Sequence, residues 1–166
     1  MKKEHLELVD KLVSYYRQSL IDGLMETDEA SKKYIDARTK FEIYITVICD
    51  HFLIDRETMM QTHQTRREDY RQARQILWLL CREGDTHLGM SLARIGEWSG
   101  GFDHATVRHG RNKMLDEVEV DYQTRKVVNE VCDILGYQLL KVGANYTTRE
   151  KQIVMKYDEP KISIVA

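Results

Sequence analysis

The sequence has one proline and nine glycines in 166 residues, which leaves little room for long ordered loops. No apolar run approaches the length of a bilayer-spanning helix, so a membrane partner is not expected. The opening Met-Lys-Lys-Glu-His-Leu-Glu has neither an apolar core nor a cleavage site, which argues against a secretory signal and for the cytoplasm. Cysteine is scarce. Cys49, Cys81 and Cys132 are widely separated, each within a helical pattern, and none has zinc-finger spacing, so buried free thiols are expected. The phosphate-cradling pattern G-x-x-x-x-G-K-[ST] is missing, which removes any visible machinery for ATP hydrolysis. No spacing suggests a Ser-His-Asp or Cys-His arrangement. His104 and His109 lie five apart and face different ways on a helix, so they are not expected to share a metal. Neither an enzyme nor a cofactor is expected, and there is no internal repeat or low-complexity tract.

What is present is a helix-rich globular composition, 42% hydrophobic and 31% charged. The fold class expected is all-α. Leu6, Val9, Leu12, Val13, Tyr16 and Leu20 keep helical spacing over 3–21, and Gly23 is expected to end that helix. Asp28 suits the cap of a second helix, with Tyr34, Ala37, Phe41, Ile45, Ile48 and Phe52 as its apolar stripe to about His51. The two form an antiparallel hairpin. Asp55 begins a short helix with Met59 and Met60, and a polar loop, Thr-His-Gln-Thr-Arg-Arg-Glu-Asp, leads to a strong helix from about Tyr70 to Arg82. A loop over 84–89, a helix pair over 91–115 and a further helix to about Leu140 follow. After Gly143 the strings Gln-Ile-Val-Met-Lys-Tyr and Ile-Ser-Ile-Val-Ala are β-prone and flank Asp-Glu-Pro-Lys, which predicts a hairpin or a tail that orders on a partner. The organisation expected is an arm over 1–40, a central domain over 41–116, a C-terminal helix over 117–143 and a tail or hairpin over 144–166. Trp78 and Trp98 lie on apolar faces and are expected in the core.

The most informative stretch is Ser91 to Lys113, S-L-A-R-I-G-E-W-S-G-G-F-D-H-A-T-V-R-H-G-R-N-K. Leu92, Ile95 and Trp98 mark a short amphipathic helix that Ser91 can cap. Gly100 and Gly101 suit a tight turn, and Asp103 suits the cap of the next helix. Two short helices joined in this way read as a helix-turn-helix, whose second helix enters the DNA major groove. On that helix His104, Ala105, Arg108 and Asn112 share one face, while Val107 and Met114 point to the core. His and Asn can hydrogen-bond base edges, and Arg can grip guanine with two bonds. The charge distribution agrees. Residues 63–113 carry nine Lys/Arg against six Asp/Glu, whereas 1–62 carry nine against twelve and 114–166 seven against nine. A local basic surface on an acidic body suits moderate, salt-sensitive DNA binding, with Arg74, Arg82, Arg111 and Lys113 as phosphate contacts.

The string S-L-x-x-I-G-x-x-x-G-G-x-D-H-x-T-V-x-H resembles the signature of the C-terminal DNA-binding domain of the bacterial replication initiator DnaA. Arg74-Gln75, followed by Ile76 to Leu80, resembles the helix that precedes it. The resemblance covers roughly Phe41 to Leu115. It implies that Asp103 and His104 are base-side residues, and that Thr106, His109 and Lys113 match polar or basic positions near the backbone. It also implies that Arg74 and Gln75 match a phosphate-contacting pair, that Arg82 matches a basic position, and that Arg66 and Arg67 occupy a loop that enters the minor groove in the family. The chain departs from the pattern at Phe102, where the family usually has Arg, at Ala105, where it has Thr, and at Arg108, where it has an apolar residue. The loop before Ser91 is about three residues longer. Ala105 loses a hydroxyl but keeps a methyl able to touch thymine.

The function expected is sequence-specific binding of double-stranded DNA without ATPase activity, in replication control or transcription. The alternative is a protein-protein interaction module that keeps the fold but has lost DNA binding. The N-terminal helices, net negative, are expected to serve assembly or support, homo-oligomerisation included.

Overall fold

The structure, a computed structural model, describes residues 3–24, 29–61 and 67–151. In chain order these form α1 (Lys3–Leu24), α2 (Glu29–Phe52), α3 (Arg56–Met59), α4 (Glu68–Arg82), a 3-10 turn (Gly84–Thr86), α5 (Leu92–Trp98), α6 (His104–Val120), α7 (Tyr122–Ile134), β1 (Tyr137–Val142) and β2 (Asn145–Glu150). The architecture is mainly α, with one small two-stranded sheet. No helix among the described residues is long and apolar enough to cross a membrane.

The core is built around α4. Every side chain from Gln75 to Cys81 is buried, as expected of a helix whose second half is apolar nearly all round. Against it lie Ala37, Phe41, Tyr44, Ile45, Val47, Ile48 and Cys49 of α2, Val107, Met114 and Val118 of α6, and Val128, Val131 and Cys132 of α7. All three cysteines are buried free thiols; Cys49 Sγ lies 3.4 Å from Met59 Sδ. Trp98 is packed edge-on to both Tyr34 and Phe41, at 5.4 and 5.3 Å between ring centroids. The expected division between residues 40 and 41 therefore falls inside one continuous helix, and residues from both sides of it wall the same tryptophan.

Three expectations need correcting. Gly23 does not end α1, which runs on to Leu24. The last helix stops at Ile134, not near Leu140, because Leu135 caps it and Gly136 takes a left-handed φ of 83°. A β-hairpin then occupies 137–150, where the end of a helix and the start of a tail or hairpin were expected, and the 143/144 boundary falls in its turn. β1 and β2 pair antiparallel with Val142 opposite Asn145, which leaves Gly143 and Ala144 as a two-residue connection. Gly143 has φ 63° while Ala144 is not left-handed, the pattern of a type II′ turn. The predicted cap at Asp28, most of the loop ahead of α4 including Arg66, and the β-prone strings over 152–166 lie outside the described residues.

The hairpin is fastened to the loop after α4. Thr148 is fully buried, and its hydroxyl donates to the Glu83 carbonyl at 2.8 Å while its oxygen accepts from the Thr86 N–H at 3.3 Å. The Glu150 N–H donates to Asp85 at 2.8 Å. A Cβ at Gly84 would lie 2.1 Å from the Thr148 carbonyl oxygen, so only glycine lets the two segments meet this closely.

Candidate nucleic-acid interface

The helix-turn-helix is assembled from two helix caps and two close backbone approaches. Ser91 caps α5, its hydroxyl accepting from the Arg94 N–H at 3.2 Å. At the other end the Gly96 carbonyl accepts from the N–H groups of both Gly101 and Phe102 at 3.0 Å, which folds the turn back onto the helix. A Cβ at Gly96 would lie 2.0 Å from the Phe102 oxygen. Gly100, at φ 112°, brings its Cα against α3: a Cβ there would be 1.8 Å from the Met60 carbonyl. Asp103 then caps α6, accepting from the Thr106 N–H at 2.8 Å and the Thr106 hydroxyl at 3.1 Å. Those two bonds hold the Asp103 carboxyl below its usual range.

The position of α6 against the body is set at Gly110. A Cβ at that site would come within 2.5 Å of the Trp78 ring, so the missing side chain is what lets α6 lie on α4. Trp78 in turn donates from Nε1 to Ser99 Oγ at 3.1 Å, and Ser99 donates to the Ile95 carbonyl at 2.6 Å. One buried ring thereby ties α4, the end of α5 and α6 together.

With Val107, Gly110, Met114 and Val118 inward, the opposite face of α6 is presented to solvent. Asp103, His104, Ala105, Thr106, Arg108, His109 and Asn112 are all exposed, and Lys113 is half-buried with Glu117 at 3.8 Å. The Asn112 amide oxygen accepts from Arg111 at 3.2 Å.

The basic residues expected to hold phosphates are placed less uniformly. Arg67 is exposed ahead of α4 and pairs with Asp69 at 3.3 Å. Arg74 is half-buried, donates to the Met59 carbonyl at 3.2 Å and lies 5.4 Å from the centroid of the Phe102 ring. Burial lowers its pKa. Arg82 donates to the Met90 carbonyl at 2.7 Å. Arg111 pairs with Glu83 at 3.0 Å, and Glu83 also accepts from the Thr147 hydroxyl at 3.0 Å. Gln75 lies beside Gly110 on the inner face of α4 and is only 7% exposed. Its Oε1 is buried without a partner. Gln75 falls on the same face of α4 as Trp78 and Leu79, three and four residues on.

A second concavity lies between the far end of α6 and the hairpin. It encloses about 470 Å³ and is lined by Glu83, Asp116 and Glu119 as well as Arg111, Asn112 and Tyr146. Sequence reasoning did not find it, since it exists only because the hairpin folds back beside α6.

Residues 42–114 match the family model described as the bacterial dnaA protein helix-turn-helix. Those residues are thus a helix-turn-helix domain of the bacterial DnaA type. The match to the chromosomal replication initiator protein DnaA of Porphyromonas gingivalis is 31% identical over 135 residues, covering 78% of this chain and 28% of that protein. The initiator of Thermomicrobium roseum is 36% identical over 84 residues, 51% of this chain and 17% of the relative. That of a Nostoc species is 36% identical over 92 residues, 55% and 19% of the two chains. The chain thus spans under a third of the length of these DnaA proteins. Phe102 packs edge-on to Trp78 at 5.2 Å and beneath Arg74, so the turn carries an aromatic bracket.

Proposed function

We propose that this protein binds double-stranded DNA sequence-specifically through the DnaA-type helix-turn-helix, with α6 in the major groove, in replication control or transcription and without ATP hydrolysis. The observation that carries the reading is the exposed face of α6 from His104 to Asn112. It presents His, Ala, Arg and Asn outward, and the carboxylate that precedes it, Asp103, is engaged by Thr106. Base edges in the major groove offer acceptors and donors to such side chains, and an unpaired carboxylate would be repelled by phosphates. His104, Ala105, Arg108 and Asn112 form the base side. Arg67, Arg74, Arg82, Thr106, His109 and Lys113 flank it as backbone contacts, with Arg66 in the loop beside Arg67. A non-catalytic role in the cytoplasm goes with this reading.

A second reading, an interaction module that has lost DNA binding, draws on the protein acceptors already held by Arg82 and Arg111. Titrating salt against binding to a diverse pool of duplexes separates the two. DNA binding predicts association at low salt that weakens with a log–log slope of about −0.9 for each phosphate neutralised. No association at low salt would leave the interaction module standing.

A further inference from the structure

We propose that Arg108 is a specificity-determining residue that reads one guanine of the target site with both arms of its guanidinium. The inference rests on the DNA-binding reading above and deepens it. Its ground is a contrast among the arginines of the domain. Arg67 and Arg71 are paired with Asp69 and Glu68 on their own helix end. Arg74 and Arg82 donate to the carbonyls of Met59 and Met90. Arg94 is paired with Glu97 at 3.0 Å and Arg111 with Glu83 at 3.0 Å. Among the described arginines from Arg67 to Arg111, Arg108 stands apart: it is exposed, and neither an acceptor nor a carboxylate holds it.

The helix explains why. Its neighbours three and four residues away are His104, Ala105, Arg111 and Asn112, none of them acidic, so no carboxylate is within reach along α6. At about 3.6 residues per turn, Arg108 projects between the directions of His104 and Asn112, on the exposed side of α6 and within its first turns. The N-terminal residues of a recognition helix are the ones that meet base edges in the major groove. There guanine offers N7 and O6 as two acceptors in the geometry the guanidinium fork matches. Since nothing in the protein has to be released first, the full hydrogen-bonding capacity of Arg108 is available to the base.

The experiment is selection of duplexes with a randomised core by the full chain, followed by affinity measurements on the selected site and its single-base variants. The wild type is expected to select a guanine at one position and to prefer it roughly 5- to 150-fold over other bases. Arg108→Ala should abolish the preference at that base pair alone, with the other positions and the salt slope unchanged. Arg108→Lys should keep only part of it, because an ammonium lacks the fork. Equal thermal midpoints of the three proteins confirm that the exposed substitution leaves the fold intact. A uniform loss on every sequence, with a salt slope smaller by about one, would place Arg108 on a phosphate and overturn the proposal. So would an unchanged specificity profile. Wild-type protein that selects no duplex at all fails the DNA-binding reading itself, a result distinct from either.

Discussion

At the scale of single residues, the site depends on atoms that are missing as much as on those present. Glycine inside a helix costs about 1 kcal/mol relative to alanine, yet Gly110 sits in the middle of the helix that carries the candidate reading face. The reason is the Trp78 ring, which would meet a Cβ at 2.5 Å. Trp78 cannot retreat, because its indole N–H is bonded to Ser99 and its ring is backed by Phe102. Gly110→Ala should therefore destabilise despite its better propensity, by on the order of 1–3 kcal/mol in urea denaturation, as overpacking against a rigid group does. A variant as stable as the wild type would show that α6 can move off α4 at little cost. The buried Gln75 lies beside the same glycine.

At the scale of elements, the hairpin lies outside the stretch that the DnaA-like pattern covers. It closes over the loop between α4 and α5 through a buried hydroxyl pair, Thr86 and Thr148, whose oxygens are 3.0 Å apart. Thr86 also donates to the Leu80 carbonyl at 2.7 Å, so the pair joins the end of α4 to β2. Thr148→Val keeps the shape but removes the donor to Glu83 and the acceptor for the Thr86 N–H. An unsatisfied buried amide costs about 1–3 kcal/mol, and the thermal midpoint should fall accordingly. If the hairpin packed only by its apolar residues, Val would be neutral, and hydrogen exchange at Thr86 would stay slow.

At the scale of the whole molecule, α1 and α2 stand as a long antiparallel arm whose inner end is part of the core. Ala37, Phe41 and Tyr44 of α2 are buried, and the Tyr44 hydroxyl donates to the Thr86 carbonyl at 2.8 Å. Outward along α1, Leu8 is 42% and Tyr15 71% exposed. Deleting residues 1–22 should leave α2 seated on Trp98 but uncover the side of α2 that α1 shields, including the neighbourhood of Val9, Thr46 and Val47. The expected outcome is lower solubility or a changed oligomeric state by light scattering, with DNA affinity retained. A truncated protein that stays monodisperse in the same state but no longer binds DNA would assign the arm a part in DNA contact instead.

The helix-turn-helix was legible in the chain because its determinants are local. Ser91 and Asp103 cap the residues that follow them, Gly96, Gly100 and Gly101 shape one turn, and Val107 with Met114 repeats at helical spacing. Such signals act over a few residues and need no distant partner. The hairpin was not legible for the opposite reason. Ile134, Leu135, Leu139 and Leu140 continue a helical spacing, and what ends the helix is the left-handed Gly136 together with pairing to 145–150 and docking on Gly84 and Thr86. Charge shows the same division. The sequence alone places a basic excess between residues 63 and 113, but only folding decides that Glu83 binds Arg111 and that the Met90 carbonyl takes Arg82. It leaves Arg108 without an acceptor, because ion pairing depends on which side chains the tertiary packing brings within hydrogen-bonding distance.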